Sequence, residues 1–284
     1  MDLKTAPFLI FLLVTASLCN PAVQEEQAAA LKTMMFDSGD VSISYRVAGA
    51  GNPVVLLHGA LLDAASNWRL VTDSLSGHFQ VISLDLRGHG QSGKPTTPDA
   101  YGAELYRDVL RLMDHLDVKT AHFVGYSLGG QLALNIAAEH PDRVRTLTIG
   151  GAGWMPPDSS GSGEAFAQAI ESSESVADVL APDSLSIPEE VRAVLAANDV
   201  LASAAMARGP WHEITMPAEE LGKLPFPVHV IVGEMDSIRT QVDQFLEILP
   251  GTTVEVLPEL DHITTFLSPA FASAVVDRLE QVES

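Results

Sequence analysis

Residues 121–130, AHFVGYSLGG, place one hydroxyl side chain, that of Ser127, between two glycines at the end of an apolar run. The first four of these residues predict a short buried strand, and residues 128–140 show the apolar spacing of a helix. Gly125 and Gly129 flank the serine two positions away on each side, where missing side chains let a strand and a helix approach each other closely. The stretch therefore predicts a strand, a sharp turn and a helix with Ser127 as a nucleophile, and a plain strand-to-helix junction is the alternative.

The composition indicates one globular domain with a strongly acidic charge balance. The 284 residues, 46% of them hydrophobic, suffice for one sizeable core. With 16 lysines and arginines against 37 aspartates and glutamates, the formal net charge is -21. Phosphate binding needs clustered basic residues, so this balance argues against a nucleic-acid partner and disfavours an anionic membrane surface.

The N-terminal segment predicts an export leader over residues 1–22. Residues 7–18, PFLIFLLVTASL, form an apolar run behind Lys4 that is too short to span a bilayer and is typical of the core of a secretory signal. We therefore expect a periplasmic or secreted protein with no stable membrane span in the mature chain. A retained N-terminal membrane anchor is the alternative.

Cys19 is the single cysteine of the sequence, so no intramolecular disulfide and no thiolate metal site is expected. It ends the stretch ASLC at residues 16–19, which resembles a bacterial lipoprotein signal except that Leu18 stands where a small residue is usual. Lipid anchoring through Cys19 is therefore an alternative to a free mature N-terminus.

Beyond a polar linker, residues 31–284 predict one α/β domain. Residues 33–37 and 41–48 alternate as the two strands of a hairpin, and the later apolar runs are typical of strands covered on both faces. The predicted strands lie at 33–37, 41–48, 53–58, 80–85, 121–124, 144–149, 228–232 and 253–257. The predicted helices lie at about 64–76, 101–116, 128–140, 240–249 and 268–282. This alternation predicts a mostly parallel sheet of about eight strands with helices on both faces.

One interval, about 154–224, interrupts the alternation of strands and helices. It contains no convincing strand, only alanine-rich helical stretches at 164–180 and 188–207 and a shorter one beginning at Pro217. Roughly 70 residues are far too many for a plain connection, so the interval predicts an inserted helical lid. The Ser/Gly run at 158–163 suits a hinge.

Three residues predict nucleophilic catalysis at one edge of the sheet. A serine hydroxyl needs a histidine to take its proton and a carboxylate to hold that imidazole. Among nine histidines, His262 is favoured because its loop, 259–264, lies between the last strand and the last helix. Asp236 follows the preceding strand at the same edge and is the favoured acid. Glu234 is its main rival, and Asp261 is too close in sequence to His262 to orient the ring.

Two backbone N–H groups predict an oxyanion hole. The N–H of Leu128 follows the nucleophile at the start of a helix, where it points toward developing negative charge. The N–H of Ala60 is the second predicted donor, because His58-Gly59-Ala60 ends the strand expected beside the nucleophile strand. A simple turn at these residues is the alternative.

Together, these motifs resemble those of the α/β-hydrolase superfamily, specifically its lidded single-domain serine hydrolases. The likeness covers about residues 33–284. It rests on HGA at 58–60, DLRGHGQS at 85–92, GYSLGG at 125–130, GEMD at 233–236 and DH at 261–262. The resemblance implies the chain order Ser127, Asp236, His262 for the catalytic residues. It also implies that DLRGHGQS is a structural turn, so Asp85 and His89 are not expected to be catalytic.

The resemblance excludes some activities and leaves others open. Haloalkane dehalogenases and epoxide hydrolases of this shape carry an aspartate where this chain has Ser127, so neither activity is expected. Esterases, lactonases, carbon–carbon bond hydrolases and signalling receptors all share the frame. The motifs therefore predict the fold more specifically than the substrate.

Large apolar residues predict a pocket for a medium-sized hydrophobic acyl group. We expect Leu61, Trp154, Met155 and Trp211 to line it, with packing of the lid on the core as the alternative role for the tryptophans. Arg192 and Arg208 are the arginines of the interval 154–224. Either one facing the pocket would favour a substrate that carries a carboxylate.

The sequence thus predicts a serine hydrolase that cleaves a small-molecule carboxylic ester or lactone through an acyl-enzyme, without cofactor or metal. A carbon–carbon bond hydrolase of the ring-fission type is one alternative, since the same residues could serve it. A ligand-binding receptor with slow turnover is the other, although an export leader argues against it.

Overall fold

A computed structural model of the protein describes residues 32–157, 163–181 and 187–283. The predicted leader at residues 1–22, including Cys19, lies outside the described residues, as does most of the predicted hinge at 158–163. None of the helices in the described ranges has both the length and the apolar composition that crossing a membrane requires.

The described residues form an eight-stranded, mostly parallel sheet, as predicted. Its strands in chain order are β1 (Met34–Asp37), β2 (Ser42–Ala48), β3 (Asn52–Leu57), β4 (Phe79–Leu84), β5 (Ala121–Tyr126), β6 (Val144–Gly150), β7 (Val228–Gly233) and β8 (Thr253–Leu257). In space they follow the order β1-β2-β4-β3-β5-β6-β7-β8. Strand β2 pairs antiparallel with β1 and β4, and every other neighbouring pair is parallel.

Strands β5 and β7 each lie between two neighbours and are buried at every residue, which is why their sequences are mostly apolar rather than alternating. Eleven α-helices lie within the described ranges. They are α1 (Ala64–Leu75), α2 (Glu104–His115), α3 (Leu128–Glu139), α4 (Glu164–Glu171), α5 (Val176–Leu180), α6 (Glu189–Ala196), α7 (Val200–Ala207), α8 (Ala218–Leu221), α9 (Arg239–Ile248), α10 (His262–Leu267) and α11 (Pro269–Glu283).

The interval between β6 and β7 holds helices α4 to α8 and, among its described residues, no strand. Both long helices predicted there are interrupted. The stretch 164–180 divides before α5, where Ser175 and Asp178 form a capping box, and 188–207 divides before α7, where Asp199 accepts from the Ala202 N–H. A capping side chain satisfies the free N–H groups that begin a new helix, so each cap favours a break.

The last predicted helix, 268–282, is found as α11, but a further helix, α10, precedes it. His262 therefore lies in the first turn of a helix rather than in a loop, which corrects the sequence prediction. Asp261 caps α10 by accepting from the N–H groups of Ile263 and Thr264. Pro269 separates the two helices, because a residue before proline is disfavoured in the helical conformation and Ser268 is extended.

The turn that contains DLRGHGQS connects β4 to the rest of the domain through buried polar contacts. Asp85 is 1% exposed, and its two oxygens accept from the N–H groups of Ala64, at 3.0 Å, and Gln91, at 2.9 Å. His58 Nδ1 donates to the Gly59 carbonyl at 2.8 Å, and His58 Nε2 accepts from the Leu86 N–H at 2.9 Å. These contacts give the turn a role in packing.

His89 packs edge to face on His58, with ring centroids 5.0 Å apart, and both side chains are fully buried. Burial lowers the pKa of His58. Burial and the neighbouring His58 ring lower the pKa of His89 from 6.5 to about 3. Both imidazoles are therefore neutral at pH 7 in the folded protein.

We predict that His89 makes the fold less stable in mild acid. The unfolded chain binds a proton at His89 near pH 6.5 and the folded chain only near pH 3, so stability present above pH 6.5 is lost as the pH falls toward 3. The free energy of unfolding should decrease by about 2 kcal/mol between pH 7 and pH 5 through this group. Urea unfolding at both pH values measures the decrease.

The free energy of unfolding of the variant His89→Asn should be lower than that of the wild type. Between pH 7 and pH 5, however, it should decrease by about 2 kcal/mol less than the wild-type value does. The matched variant His78→Asn, at an exposed position, should keep the wild-type dependence. An unchanged pH dependence in His89→Asn would contradict the prediction.

Candidate active site

Ser127 lies between the end of β5 and the start of α3 in a left-handed backbone conformation, with φ 51° and ψ -114°. Such a conformation costs a serine about 1–3 kcal/mol and persists only where the surroundings hold it. Here the Ser127 N–H donates to the Gly150 carbonyl at 2.8 Å, and the Ser127 carbonyl accepts from the Gln131 N–H at 3.2 Å. Strand β6 and helix α3 therefore hold the strained residue from two sides.

The two glycines beside Ser127 are required by close backbone contacts. A Cβ atom at Gly125 would lie 2.3 Å from the Gly129 carbonyl oxygen, and one at Gly129 would lie 1.9 Å from the Leu57 carbonyl oxygen. Real side chains cannot approach backbone so closely. The sharp strand-turn-helix element predicted from the sequence is therefore present, and the glycines make it sterically possible.

The structure brings Ser127, His262 and Asp236 into one hydrogen-bonded series. His262 Nε2 is 3.1 Å from Ser127 Oγ, and His262 Nδ1 is 2.8 Å from Asp236 Oδ2. Because an ionised carboxylate can only accept, Nδ1 carries the ring proton and Nε2 is left to accept the serine proton. The imidazole is thus set as a base toward the hydroxyl.

The surroundings of Asp236 distinguish it from the two other acids considered. Its side chain is buried, and its second oxygen, Oδ1, accepts from the Ile238 N–H at 3.0 Å, which fixes the carboxylate. Glu234 is exposed and accepts from the Glu259 N–H at 3.1 Å. Asp261 caps α10. Neither rival is therefore placed to hold the His262 ring.

Tyr126, which was not among the predicted site residues, contacts His262 through a hydrogen bond and through ring packing. Its hydroxyl donates to the His262 carbonyl at 2.6 Å, and the two rings lie 5.4 Å apart between centroids. The side chain is fully buried, and burial raises its pKa well above the ordinary value, so it remains a donor. Its position directly before Ser127 was the available signal in the sequence, because that position lies at the edge of the sheet where the site was predicted.

The predicted oxyanion donors lie on the two backbone segments beside Ser127. Leu128 is the first residue of α3, where N–H groups have no partner within the helix. The Gly59 carbonyl accepts from His58 Nδ1, and the Gly59 N–H donates to Asn67 Oδ1 at 2.9 Å. The two polar groups of a trans peptide point in opposite directions, so anchoring the Gly59 carbonyl on His58 directs the Ala60 N–H away from that ring.

A cavity of about 190 Å³ opens above Ser127. Apart from Ser127, His262 and Tyr126, its described lining is uncharged and apolar or glycine. These residues are Gly59, Ala60, Leu62, Leu180, Ile187, Val191, Leu195, Ile263 and Phe266. The cavity therefore suits an apolar group held against the serine hydroxyl.

The four residues predicted to line this cavity, Leu61, Trp154, Met155 and Trp211, are not among those that the structure places there. The indole N–H of Trp154 donates to the Met216 carbonyl at 2.8 Å, and that of Trp211 to the Ala207 carbonyl at 3.0 Å. Both tryptophans thus pack within the domain, which was the alternative role considered.

The remaining two residues of that prediction are held through their backbones. The Leu61 carbonyl accepts from Asn198 Nδ2 at 2.9 Å, and the Met155 carbonyl accepts from the Met216 N–H at 3.4 Å. The cavity wall is instead built by Leu180 at the end of α5 and by a row of apolar residues that begins before α6 and continues along it. In that row, Ile187 lies two residues before α6, and Val191 and Leu195 lie on one face of the helix. Their spacing of four was a signal for this row in the sequence.

The two arginines of the insertion do not line the cavity. Arg208 donates to Glu164 at 2.7 Å and to Glu171 at 2.5 Å, so it forms ion pairs within the insertion. Arg192 donates to the Ala181 carbonyl. No lysine or arginine occurs among the described lining residues, and the described chain has no cluster of three His, Cys, Asp or Glu side chains placed to hold a metal ion.

Comparison with known proteins relates this geometry to one family. Residues 52–190 match the alpha/beta hydrolase fold family. A stretch of 138 residues is 36% identical to the 2-hydroxymuconate semialdehyde hydrolase of Pseudomonas sp. (strain CF600), covering 47% of this chain and 45% of that relative. The chain spans less than half the length of the curated relatives that it matches.

Two solved structures share the architecture over most of the chain. A hydrolase from Pseudomonas aeruginosa PA01 is 27% identical and superposes with a TM-score of 0.72, covering 89% of this chain and 99% of its own. The enol-lactonase from Burkholderia xenovorans LB400 is 26% identical with a TM-score of 0.69, covering 87% of this chain and 100% of its own.

We predict that Gly129→Ala destabilises the protein strongly. The added methyl group would meet the Leu57 carbonyl, so α3 must move away from β3. The cost should exceed about 3 kcal/mol, which lowers Tm by about 6 °C or more in a domain of this size. Thermal unfolding measures the change. Gly77→Ala is the matched control, since a Cβ there meets nothing within 4 Å, and a small effect of Gly129→Ala would refute the steric argument.

Proposed function

This chain belongs to the α/β-hydrolase superfamily, and we propose that it is a serine hydrolase that cleaves a carboxylic ester or lactone of modest size through an acyl-enzyme. The series of hydrogen bonds from Ser127 through His262 to Asp236 is the observation that carries the proposal. Such a series turns a weakly nucleophilic hydroxyl into an effective nucleophile.

In the first half of the reaction, Ser127 Oγ attacks the carbonyl carbon while its proton passes to His262 Nε2. Asp236 keeps the ring oriented and stabilises the imidazolium that forms. The carbonyl electrons move onto oxygen, where the N–H groups of Ala60 and Leu128 are the proposed donors. The intermediate collapses as the leaving alcohol takes the proton from His262 Nε2, and the acyl group stays on Ser127.

In the second half, water replaces the alcohol. His262 Nε2 takes a proton from the water as its oxygen attacks the acyl carbon, and the same nitrogen then returns a proton to Ser127 Oγ. The products are the acid and the free enzyme. This cycle needs no cofactor.

The apolar cavity supports an uncharged acyl group of moderate size. A carbon–carbon bond hydrolase is the second candidate, favoured by the likeness to the 2-hydroxymuconate semialdehyde hydrolase. Substrates of the ring-fission type carry a carboxylate, and the described lining of the cavity offers no lysine or arginine to pair with it. The lining therefore supports the ester or lactone over the second candidate.

We predict that Ser127→Ala lowers the turnover of p-nitrophenyl esters by at least about 10³-fold while the protein stays folded. The substrates are short and long p-nitrophenyl esters, and a fluorophosphonate probe reports on the reactive serine. Ser74→Ala is the matched control, an exposed serine on α1 that should keep full activity and labelling. Retained turnover in Ser127→Ala would reject the assignment.

The same panel separates the candidate functions. Labelling with ester turnover supports the esterase, whereas labelling without turnover of any ester would reject it in favour of a receptor. Turnover of a vinylogous diketone with no ester hydrolysis would instead favour the carbon–carbon bond hydrolase.

We also predict that Tyr126 acts as a positioning residue for His262. Tyr126→Phe keeps the ring but removes the hydrogen bond to the His262 carbonyl, so kcat should fall about fivefold with little change in KM, the size expected of one hydrogen bond. Tyr106→Phe is the matched control, because the Tyr106 hydroxyl donates to Glu139, which does not line the cavity above Ser127. A fall confined to KM, or an equal fall in both variants, would contradict this role.

A further inference from the structure

A second cavity, of about 300 Å³, also borders His262. It shares three residues, Ile187, His262 and Ile263, with the cavity above Ser127, but Ser127 itself lines only the first. The second cavity adds Pro188, Met235, Ser237, Asp261 and Thr264. The imidazole therefore borders two spaces of different character, one apolar and one partly polar.

The chemistry of the proposed reaction assigns different parts of the substrate to the two spaces. The acyl carbon must reach Ser127 Oγ, so the acyl group belongs in the apolar cavity. The leaving oxygen must receive its proton from His262 Nε2, so the leaving group departs on the side of the imidazole. A space that borders His262 but not Ser127 is suited to hold that leaving group.

Asp261 gives the second cavity a negative charge. Its Oδ1 accepts from the Ile263 N–H at 2.9 Å, from the Thr264 N–H at 2.8 Å and from the Thr264 hydroxyl at 2.7 Å. Partial burial raises the pKa of Asp261, but these hydrogen bonds and His262 outweigh it and lower the pKa below its ordinary value. The carboxylate is therefore ionised at neutral pH. Asp261 lines the second cavity and is exposed.

The rest of the charge distribution also favours a cation in the second cavity. No lysine or arginine lines either cavity among the described residues, and none of those residues forms an ion pair with Asp261. The net charge of -21 adds a long-range attraction for cations and a repulsion for anions. Met235, 68% exposed, offers apolar surface for methylene groups beside the charge.

We propose that the second cavity is the subsite of the leaving group, and that it selects an amino alcohol whose cation pairs with Asp261. The proposal rests on the proposed function. Ser127 Oγ forms a bond to the acyl carbon, and the bond from that carbon to the alcohol oxygen breaks with its electron pair on the oxygen. The oxygen takes the proton of His262 Nε2, and the amino alcohol leaves with its ammonium group unchanged.

Two esters with the same acyl group test the proposal. They are 2-(dimethylamino)ethyl butyrate, which is cationic at pH 7, and its neutral isostere 3-methylbutyl butyrate. The test variant is Asp261→Asn, because asparagine caps a helix as well as aspartate does and removes only the charge. We expect kcat/KM for the cationic ester to fall about three- to fivefold, the upper part of the range for one exposed ion pair, with less than about twofold change for the neutral ester.

Glu259→Gln is the matched control. It removes one negative charge from the same loop, but Glu259 lines neither cavity, so the ratio between the two esters should stay at the wild-type value. Unchanged Tm values show that both variants remain folded. Raising the salt concentration should shrink the difference between wild type and Asp261→Asn, since the pair is exposed to solvent.

Several results would overturn the proposal. An equal fall for both esters in Asp261→Asn would mean that the residue acts through the packing of α10. An equal loss of preference in Glu259→Gln would mean that the charge acts at long range without a subsite. If the wild-type protein hydrolyses neither of the two alkyl esters, the proposal is also overturned. Turnover of p-nitrophenyl butyrate in the same sample then tells whether the proposed function itself survives.

Discussion

Helix α3 lies so close to the end of β3 that the Leu57 carbonyl oxygen occupies the space where a methyl group at Gly129 would stand. The same closeness leaves no room for a side chain at Gly125. With both side chains missing, the chain can turn within one residue, and Ser127 takes a left-handed conformation held by β6 and α3. The position of the half-buried Ser127 hydroxyl follows from this packing, and so does the start of α3 directly after it. The strain at Ser127 is offset by contacts that the neighbouring strands supply.

The parallel sheet then assembles the rest of the site. Parallel strands present their carboxyl ends at one edge, so residues that follow β5, β7 and β8 meet there despite a separation in sequence of 135 between Ser127 and His262. Each side chain is fixed by its own local contacts. Asp236 is held by a backbone N–H beyond β7, and His262 is held by α10 and by the hydroxyl of Tyr126. The geometry of the site is thus set by several elements at once, which favours a single orientation of the imidazole.

The insertion between β6 and β7 supplies the surroundings of that imidazole. One face of α6 closes the apolar space above Ser127, while the residues around the start of α10 border a second, partly polar space. The arginines of the insertion contribute to its internal contacts rather than to either space. His262 therefore borders both an apolar cavity and a cavity that contains a carboxylate, and the proposed division of the substrate follows from that arrangement.

The sequence by itself determined the eight-stranded, mostly parallel sheet, the turn at Ser127 and the candidate residues at the edge of the sheet, because steric needs and apolar periodicity are properties of neighbouring residues. It did not determine which apolar residues lie at the site. The predicted Leu61, Trp154, Met155 and Trp211 are not among the described residues that line the cavity above Ser127. The Trp154 indole donates to the Met216 carbonyl, far along the chain, and the Trp211 indole to the Ala207 carbonyl within one turn. The position of Trp154 therefore depends on a contact that local periodicity does not indicate. The helix that begins at His262 and the second cavity were likewise decided only by the tertiary structure, since a capped six-residue helix has too little periodicity to be read locally and a cavity exists only between packed elements.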